Sequence, residues 1–208
     1  MGLGILMPSI DKIFGIGMFK TGLTSLGEAL EILGYRQSRE EWYHGRIPDD
    51  PWNTCPDQWS QYIPILLDRA RQFDGLKDYP WMFVYREMDR EFPNARFIYT
   101  MRDPEAVAAS NRNLWRSRGA REESIPSRER IIQRYLDHQR SVLEYFAGRT
   151  NLLMVNWEEK SGWNELCEFL GLPLPAVPFP HANKGVYSPA SRQSAVQAAQ
   201  VVHHPFTT

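Results

Sequence analysis

The residues with the clearest capacity for chemistry lie in residues 12–34, KIFGIGMFKTGLTSLGEALEILG. Lys20 stands in a turn enclosed by Gly17 and Gly22, between an apolar run of strand length and a leucine-rich stretch with helical spacing. The same turn supplies the hydroxyls of Thr21, Thr24 and Ser25. Because a helix N-terminus presents backbone N–H groups and positive potential, this turn with its lysine predicts a site for a phosphate or a sulfate.

The spacing differs from that of the common nucleoside-triphosphate loop, G-x-x-x-x-G-K-[ST], in which the lysine follows the second glycine. Gly17 and Gly22 have the right separation, but Leu23 follows Gly22 and Lys20 precedes it. Arg102 stands at the end of a later predicted strand, where kinases of this kind carry a magnesium-binding aspartate. Taken alone, the segment also fits an ordinary glycine-containing turn between a strand and a helix.

A second candidate anion site follows Phe97–Met101, another apolar run of strand length. Arg102 comes next, and then Asp103-Pro104, which reads as an N-cap followed by proline at the first helical position. Ser110 follows Arg102 by eight residues. A planar guanidinium binds phosphate through two parallel hydrogen bonds, which suits Arg102 to an anion. The alternative is that Arg102 pairs with a neighbouring acidic residue and that Ser110 is a helix-surface serine.

The residues Phe19–Leu26, FKTGLTSL, resemble the P-K-[ST]-G-T-x-x-L loop of sulfotransferases, whose lysine likewise precedes the glycine. In that family the loop binds the 5′-phosphosulfate end of 3′-phosphoadenosine 5′-phosphosulfate (PAPS). Here Phe19 replaces the usual proline and Leu23 replaces a frequent threonine. The loss of the proline makes the loop less rigid, because proline fixes φ. The resemblance implies a PAPS-binding loop formed by Phe19, Lys20, Thr21, Gly22, Leu23, Thr24 and Ser25. It also implies that Lys20 stabilises charge on the leaving phosphate.

The resemblance extends over residues 12–185 and implies contacts with the rest of PAPS. In the family an arginine at a strand end and a serine eight residues later hold the 3′-phosphate, and Arg102 and Ser110 match this pattern. Trp157 stands where some relatives place an aromatic ring near the adenine. A partly buried tryptophan that serves packing alone is the other interpretation of Trp157.

The segment Leu152–Gly185 resembles the closing region of bacterial-type sulfotransferases, with its Gly-Leu-Pro turn and F-P-H-x-N signature. In the wider family a basic loop here closes over the 3′-phosphate. The resemblance makes Lys184 the candidate cation, with His181 and Asn183 beside it. A solvated loop is the alternative for these residues.

A general base is suggested by Gly75–Trp81, GLKDYPW, which occupies the place where sulfotransferases present a histidine or a carboxylate at a strand end. Asp78 is therefore the candidate base, and burial beside aromatic residues would raise its pKa toward a useful value. The alternative is that Asp78 caps a helix that begins near Pro80. His44 is the reserve candidate.

The composition is that of a compact enzyme. The chain has 208 residues, 42% of them hydrophobic, a formal net charge of −1 and two cysteines. We expect one domain over residues 1–208, with its core at about 12–185 and a tail at 186–208 that is either disordered or a short helix. The net charge gives no reason to expect nucleic acid or an anionic membrane as a partner. No apolar run reaches ~20 residues and the start does not resemble a signal peptide, so we expect a cytoplasmic protein.

The elements that must position these residues alternate between strand and helix. The apolar patterns predict strands at Ile13–Gly17, Phe97–Met101 and Leu152–Val155. After the first helix, they predict further helices at Gln58–Phe73, Trp81–Phe92 and Arg128–Gly148. This order predicts a three-layer α/β/α fold with a central parallel sheet. The resemblance identifies it as the P-loop NTPase-like sulfotransferase fold.

These observations predict a sulfotransferase that moves a sulfuryl group from PAPS, without a metal, to a hydroxyl or an amine. Its acceptor is expected to be a small molecule held by residues 37–57, 78–85 and 112–130, whose tryptophans and tyrosines indicate a partly apolar one. A P-loop nucleotide kinase and a non-catalytic, nucleotide-binding relative are the alternatives. The tail leaves docking on a second copy, and so a homodimer, open.

Overall fold

A parallel sheet lies at the centre of the computed structural model, which describes residues 12–38, 46–47, 56–159 and 162–182, with only the backbone at 56–58. Within these residues the strands are β1 (Ile13–Gly15), β2 (Gly75–Lys77), β3 (Arg96–Thr100) and β4 (Leu152–Val155), in the order β2-β1-β3-β4. The central position of β1 is seen in Ile13, which pairs with Gly75 on one side and with Arg96 on the other. All of these pairings are parallel.

Helices connect the strands. Over the described residues these are α1 (Leu23–Ile32), α2 (Ile63–Gln72), α3 (Tyr85–Glu91), α4 (Pro104–Ser117), α5 (Arg128–Tyr145) and α6 (Trp163–Leu170). Short 3₁₀ helices occupy Pro56–Tyr62, Trp81–Phe83 and Glu122–Ser124. None of the described helices combines the length and the apolar character that crossing a bilayer requires.

Hydrophobic side chains on both faces bury the sheet between two layers of helices. Ile13 and Ile98 join buried residues of α1, α4, α5 and α6 in one cluster. Phe14 and Phe97 join buried residues of α2, α3 and α5 in the other cluster. Successive residues of a strand point to opposite faces, which explains why neighbours such as Ile13 and Phe14 belong to different clusters. The predicted three-layer α/β/α architecture with a central parallel sheet is confirmed.

The structure divides two of the predicted helices. In place of Gln58–Phe73 it has the 3₁₀ helix Pro56–Tyr62 followed by α2, with Pro64 in the first turn of α2. Proline lacks an N–H group and clashes with the turn before it, so an α-helix can begin at Pro64 but cannot run through it. In place of Trp81–Phe92 it has the 3₁₀ helix Trp81–Phe83 and then α3.

β2 is a strand that the apolar pattern did not predict. Gly75–Lys77 has a single apolar side chain, Leu76, which is fully buried. The strand forms because it pairs with β1, which comes about 60 residues earlier in the chain. Gly75 also lies under the amide of Gln37, whose Nε2 would be 1.7 Å from an added Cβ, so a larger residue would require the side chain of Gln37 to move.

Candidate functional site

The loop between β1 and α1, residues 16–22, lies at the carboxyl ends of the parallel strands. In open parallel sheets ligands bind at this edge. Gly22, the N-cap of α1, has a φ of 102°, which glycine adopts without strain, and has no side chain that could accept from the first turn of the helix. The positive end of α1 is therefore directed at the loop, as an anion site requires.

The side chain of Thr21 fastens this loop to the sheet. Its Oγ1 donates to the carbonyl of Met18 at 2.6 Å and lies 2.6 Å from Oγ1 of Thr100, at the end of β3. Thr21 is 3% exposed and Thr100 is fully buried. Gly17 passes so close to Thr100 that an added Cβ would lie 2.1 Å from Oγ1. The hydroxyl of Thr21 thus holds the shape of the loop from beneath.

Lys20 and Arg102, which belong to the two predicted anion segments, lie next to each other. Nη1 of Arg102 donates to the carbonyl of Lys20 at 3.4 Å, and Nη2 lies 2.9 Å from Oε1 of Glu158. The hydroxyl of Tyr135 accepts from the backbone N–H of Arg102 at 3.3 Å and donates to its carbonyl at 3.0 Å. Nε of Arg102 is buried and, among the described residues, has no hydrogen-bond partner.

Asp78 follows β2 directly and so lies at the same edge of the sheet. Its backbone N–H donates to the carbonyl of Gly15 at 3.1 Å, which holds it against β1. Oδ1 of Asp78 accepts from the N–H of Tyr79 at 2.9 Å, and the carbonyl of Asp78 accepts from the N–H of Met82 at 3.3 Å.

The two candidate catalytic residues share an unusual backbone conformation. Lys20 has a φ of 71° and Asp78 a φ of 67°. Among the described residues, they are the only two residues other than glycine that have a positive φ. This region is strained for residues with a Cβ, least so for aspartate and asparagine. Such strain is typical of residues whose side chains the fold must aim at a ligand.

Aromatic rings lie beside Lys20 and Asp78 and form what we call the aromatic cluster: Phe19, Trp59, Tyr62, Tyr79 and Phe83. The ring of Phe19 stacks on Tyr79 with centroids 6.5 Å apart, and Trp59 lies 5.7 Å from Tyr79 and 5.8 Å from Phe83. Phe19 and Phe83 are only partly buried. The phenylalanine that replaces the family's proline thus connects the loop to this cluster.

His138, on α5, is a residue of the site that sequence reasoning missed. Its Nε2–H donates to the carbonyl of Ile16, at the start of the loop, over 2.8 Å. Burial lowers the pKa of His138 to about 4, so the ring is neutral at pH 7. Its spacing from Ile131, Tyr135 and Val142, which repeats like the buried face of a helix, was the available signal.

Trp157 and the segment that leads to Lys184 pack against the start of α1. Trp157 is 7% exposed, its ring lies 4.7 Å from that of Phe179, and its Cδ1 would be 2.4 Å from a Cβ on Gly22. Nε1 of Trp157 is buried with no partner among the described residues. The N–H of Ala182 donates to Oγ of Ser25 at 3.0 Å. Residues 179–182 therefore border the loop.

The remaining candidates are placed as follows. Ser110 is half-buried on α4, Leu23 is 3% exposed, and Thr24 is exposed in the first turn of α1. His181 is exposed, with its ring 6.0 Å from that of Phe179. The candidates outside the described residues are His44, Asn183 and Lys184. Among the described residues, no group of three or more histidine, cysteine, aspartate or glutamate side chains could hold a metal ion.

Comparison with known proteins gives consistent matches. A family model for the sulfotransferase domain matches residues 12–125 and 107–186. "Ava biosynthesis cluster protein M" from Aspergillus versicolor is 25% identical, over 82% of this chain and 80% of the relative.

Solved structures share the fold at low sequence identity. A sulfotransferase from Alicyclobacillus acidocaldarius has a TM-score of 0.54 at 16% identity, covering 92% of this chain and 93% of its own. The sulfotransferase domain from the curacin biosynthetic pathway has a TM-score of 0.51 at 14% identity, covering 95% and 93%. The sulfotransferase domain from the Synechococcus PCC 7002 olefin synthase has a TM-score of 0.50 at 16% identity, covering 95% and 96%. The P-loop NTPase-like fold class expected from the resemblance is confirmed.

Proposed function

We propose, from the premise that this chain belongs to the sulfotransferase domain family, that it transfers a sulfuryl group from PAPS to a hydroxyl or an amine of a small molecule. The observation that carries the proposal is that Lys20 and Arg102, about 80 residues apart in the chain, lie next to each other. Nη1 of Arg102 is 3.4 Å from the backbone carbonyl of Lys20. A lysine in a phosphate loop and an arginine beside it suit a donor with phosphate groups at both its 5′ and 3′ positions.

The described residues fit such a donor. Nε of Arg102 and Nε1 of Trp157 are buried N–H donors that have no partner in the described part of the chain. Buried donors in proteins are normally satisfied, so these two are candidates for contacts with a ligand. Residues 179–182 border the loop, and the resemblance makes Lys184, which follows them in the sequence, the candidate cation for the 3′-phosphate.

The chemistry follows from what each residue can do. When bound, the donor supplies an electrophilic sulfuryl group, which leaves the 5′-phosphate oxygen as the acceptor oxygen or nitrogen bonds to sulfur. Lys20 and the N-terminus of α1 stabilise the negative charge that grows on the 5′-phosphate. Asp78 takes the proton that the acceptor loses. No step in this scheme requires a metal ion.

The acceptor is proposed to lie on the aromatic cluster. Phe19 lies in the loop that carries Lys20, and Phe83 lies in the 3₁₀ helix that follows Asp78. Both rings are partly buried. Aromatic walls with a few polar groups are typical of sites for partly apolar small molecules. The replacement of the family's proline by Phe19 then adds a ring to this wall, where its contact with Tyr79 holds it.

The donor site is tested by isothermal titration with 3′-phosphoadenosine 5′-phosphate (PAP) and with ATP, each with and without Mg²⁺. We expect PAP to bind without metal and Arg102→Ala to weaken it roughly 10- to 100-fold, because a hydrogen-bonded charge pair is lost. Lys20→Ala should weaken PAP as well. Arg140→Ala removes an exposed arginine that pairs, among the described residues, with Asp137, and it serves as the control. A preference for Mg²⁺-ATP would favour the kinase alternative and overturn the proposal.

Turnover separates an enzyme from a non-catalytic relative. With ³⁵S-labelled PAPS and a panel of phenols, alcohols and amines, we expect transfer to at least one acceptor. Asp78→Asn should lower kcat roughly 100-fold or more and leave the affinity for PAP unchanged, since asparagine tolerates the same backbone conformation but cannot take a proton. Binding of PAP without transfer to any acceptor would support the non-catalytic alternative.

A further inference from the structure

A guanidinium binds an oxyanion through two hydrogen bonds from one edge, formed by Nε and Nη2. On this edge of Arg102, one of the two donors has a partner. Nη2 lies 2.9 Å from Oε1 of Glu158, whereas Nε on the same edge is buried and, within the described residues, without a partner. Elsewhere carboxylates fill this edge completely: Arg36 binds Asp74 through Nε at 2.8 Å and Nη2 at 3.2 Å, and Arg116 binds Glu122 at 3.0 and 2.8 Å. Arg102 therefore has capacity for a second oxyanion oxygen.

A turn after β4, held by two hydrogen bonds to Asn156, places Glu158 beside Arg102. The N–H of Glu158 donates to Oδ1 of Asn156 at 3.1 Å, and the N–H of Glu159 donates to the carbonyl of Asn156 at 3.1 Å. The side chain of Glu158 is 56% exposed and that of Arg102 is 31% exposed. An ion pair with this exposure is weak, so the carboxylate can leave Arg102 when another anion arrives.

Arg102 and Glu158 line one cavity of about 450 Å³ at the carboxyl ends of β3 and β4. Tyr135, Gln139 and Asn156 contribute to its wall, and so do the acidic residues Asp103 and Glu159. A phosphate that enters this cavity and binds Arg102 meets the carboxylate that already holds the same guanidinium. The cation and the carboxylate therefore act in opposite directions on any anion bound there.

We propose that Glu158 is a specificity residue that competes with the 3′-phosphate of the nucleotide for Arg102. The proposal rests on the proposed function, which places the 3′-phosphate at Arg102. A carboxylate repels a phosphate dianion, but it accepts a hydrogen bond from a ribose hydroxyl. Glu158 thus lowers the affinity for 3′-phosphorylated nucleotides, including the product PAP, and reduces the preference for them over nucleotides with a free 3′-hydroxyl.

The test compares PAP with AMP, which lacks the 3′-phosphate, by titration calorimetry of the full chain at one ionic strength. In Glu158→Gln we expect PAP to bind about three- to tenfold more tightly, because an exposed ion pair and a like-charge repulsion are both removed. AMP should bind no more tightly than to the wild type. Glu159→Gln removes an equal charge from the same cavity, from a side chain that accepts from Asn156 at 2.8 Å, and is the matched control.

Each outcome bears on the proposal. A rise in PAP affinity in Glu158→Gln alone, without a rise for AMP, supports it. Unchanged or weaker PAP binding in Glu158→Gln, or an equal gain in Glu159→Gln, overturns it. If PAP binds wild type and Glu158→Gln equally and Arg102→Ala loses it, the proposed function stands and the role of Glu158 is refuted. If PAP binds to none of these proteins, the proposed function fails and the role of Glu158 fails with it.

Discussion

At the scale of single residues, Gly22 shows how the loop depends on both backbone freedom and space. Its φ of 102° lies in the region that is strained for residues with a Cβ, and the indole of Trp157 lies where a Cβ would be placed. Gly34 also has a positive φ, 90°, but among the described residues no atom beyond its chain neighbours lies within 4 Å of an added Cβ. A substitution at Gly34 therefore measures the destabilisation caused by the backbone conformation alone, whereas one at Gly22 adds the clash with Trp157.

We predict that Gly22→Ala is more destabilising than Gly34→Ala. Both substitutions place a Cβ in the left-handed region, at a cost of roughly 1–2 kcal/mol. Gly22→Ala also forces Trp157 to move, which adds roughly 1–3 kcal/mol and shifts the loop. Denaturant unfolding measures the difference, and titration with PAP should show a loss of affinity in Gly22→Ala only. Equal free energies of unfolding for the two variants would contradict the contact with Trp157.

At the scale of elements, one hydrogen bond joins α5 to the end of β1. His138 reaches from α5 to the carbonyl of Ile16, where the loop begins, and its ring lies 5.8 Å from that of Tyr99 on β3. Desolvation and, to a smaller extent, the charge of Arg134 outweigh the opposing hydrogen bond with Ile16 and lower the pKa of His138 to about 4. The helix is therefore held to the sheet by a histidine that must remain neutral.

We predict that stability falls between pH 6.5 and about pH 4 because of His138. The folded pKa is below the unfolded value of about 6.5, so in this range the unfolded chain binds the extra proton and gains stability as the pH falls. The loss amounts to up to roughly 3 kcal/mol. His138→Gln keeps an N–H donor but does not titrate, so its free energy of unfolding should depend less on pH in this window.

The comparison of wild type with His138→Gln isolates this effect. The hydrogen bond with Arg36 holds the pKa of Asp74 below 3.8, so the stability that this carboxylate provides is lost only at lower pH. Burial raises the pKa of Glu28, which has the opposite effect on stability but acts equally in both proteins. Parallel pH profiles for the two proteins would show that His138 does not titrate as described.

At the scale of the whole molecule, the two hydrophobic clusters share one sheet. Phe19 and Phe83 pack against both clusters, at the edge that carries the candidate site. The elements that form the site come from all four described strands, since residues 16–22, Asp78, Arg102 and Glu158 follow β1, β2, β3 and β4 respectively. Formation of the site therefore requires the whole sheet.

We predict that the chain unfolds in one cooperative transition, which is the test of the expected single domain. PAP at 100 times its Kd should add about 2.7 kcal/mol to the free energy of unfolding and raise Tm by roughly 5–10 °C. The shift should be much smaller at the same PAP concentration in Arg102→Ala. Differential scanning calorimetry measures both quantities. Two separate transitions would contradict a single domain.

The sequence by itself predicted the layers of the fold and the positions of the two anion segments. The apolar run before Lys20, the glycines around it and the N-cap and proline after Arg102 are local signals, each contained in about 20 residues. Local signals specify which segments become strands and helices, and alternation of the two is enough to predict a parallel sheet. The ends of the helices near Pro64 and Trp81 differed because 3₁₀ turns have no distinct apolar period.

Only the tertiary structure decided what surrounds those segments. β2 exists because β1 pairs with it, Trp157 covers Gly22, and Glu158 reaches Arg102, although none of these pairs is close in sequence. His138 likewise became part of the site only when α5 packed on the end of β1. Such contacts depend on the order of strands and on side-chain packing across the sheet. No periodic pattern within one segment encodes them, because each requires two distant segments to be brought together.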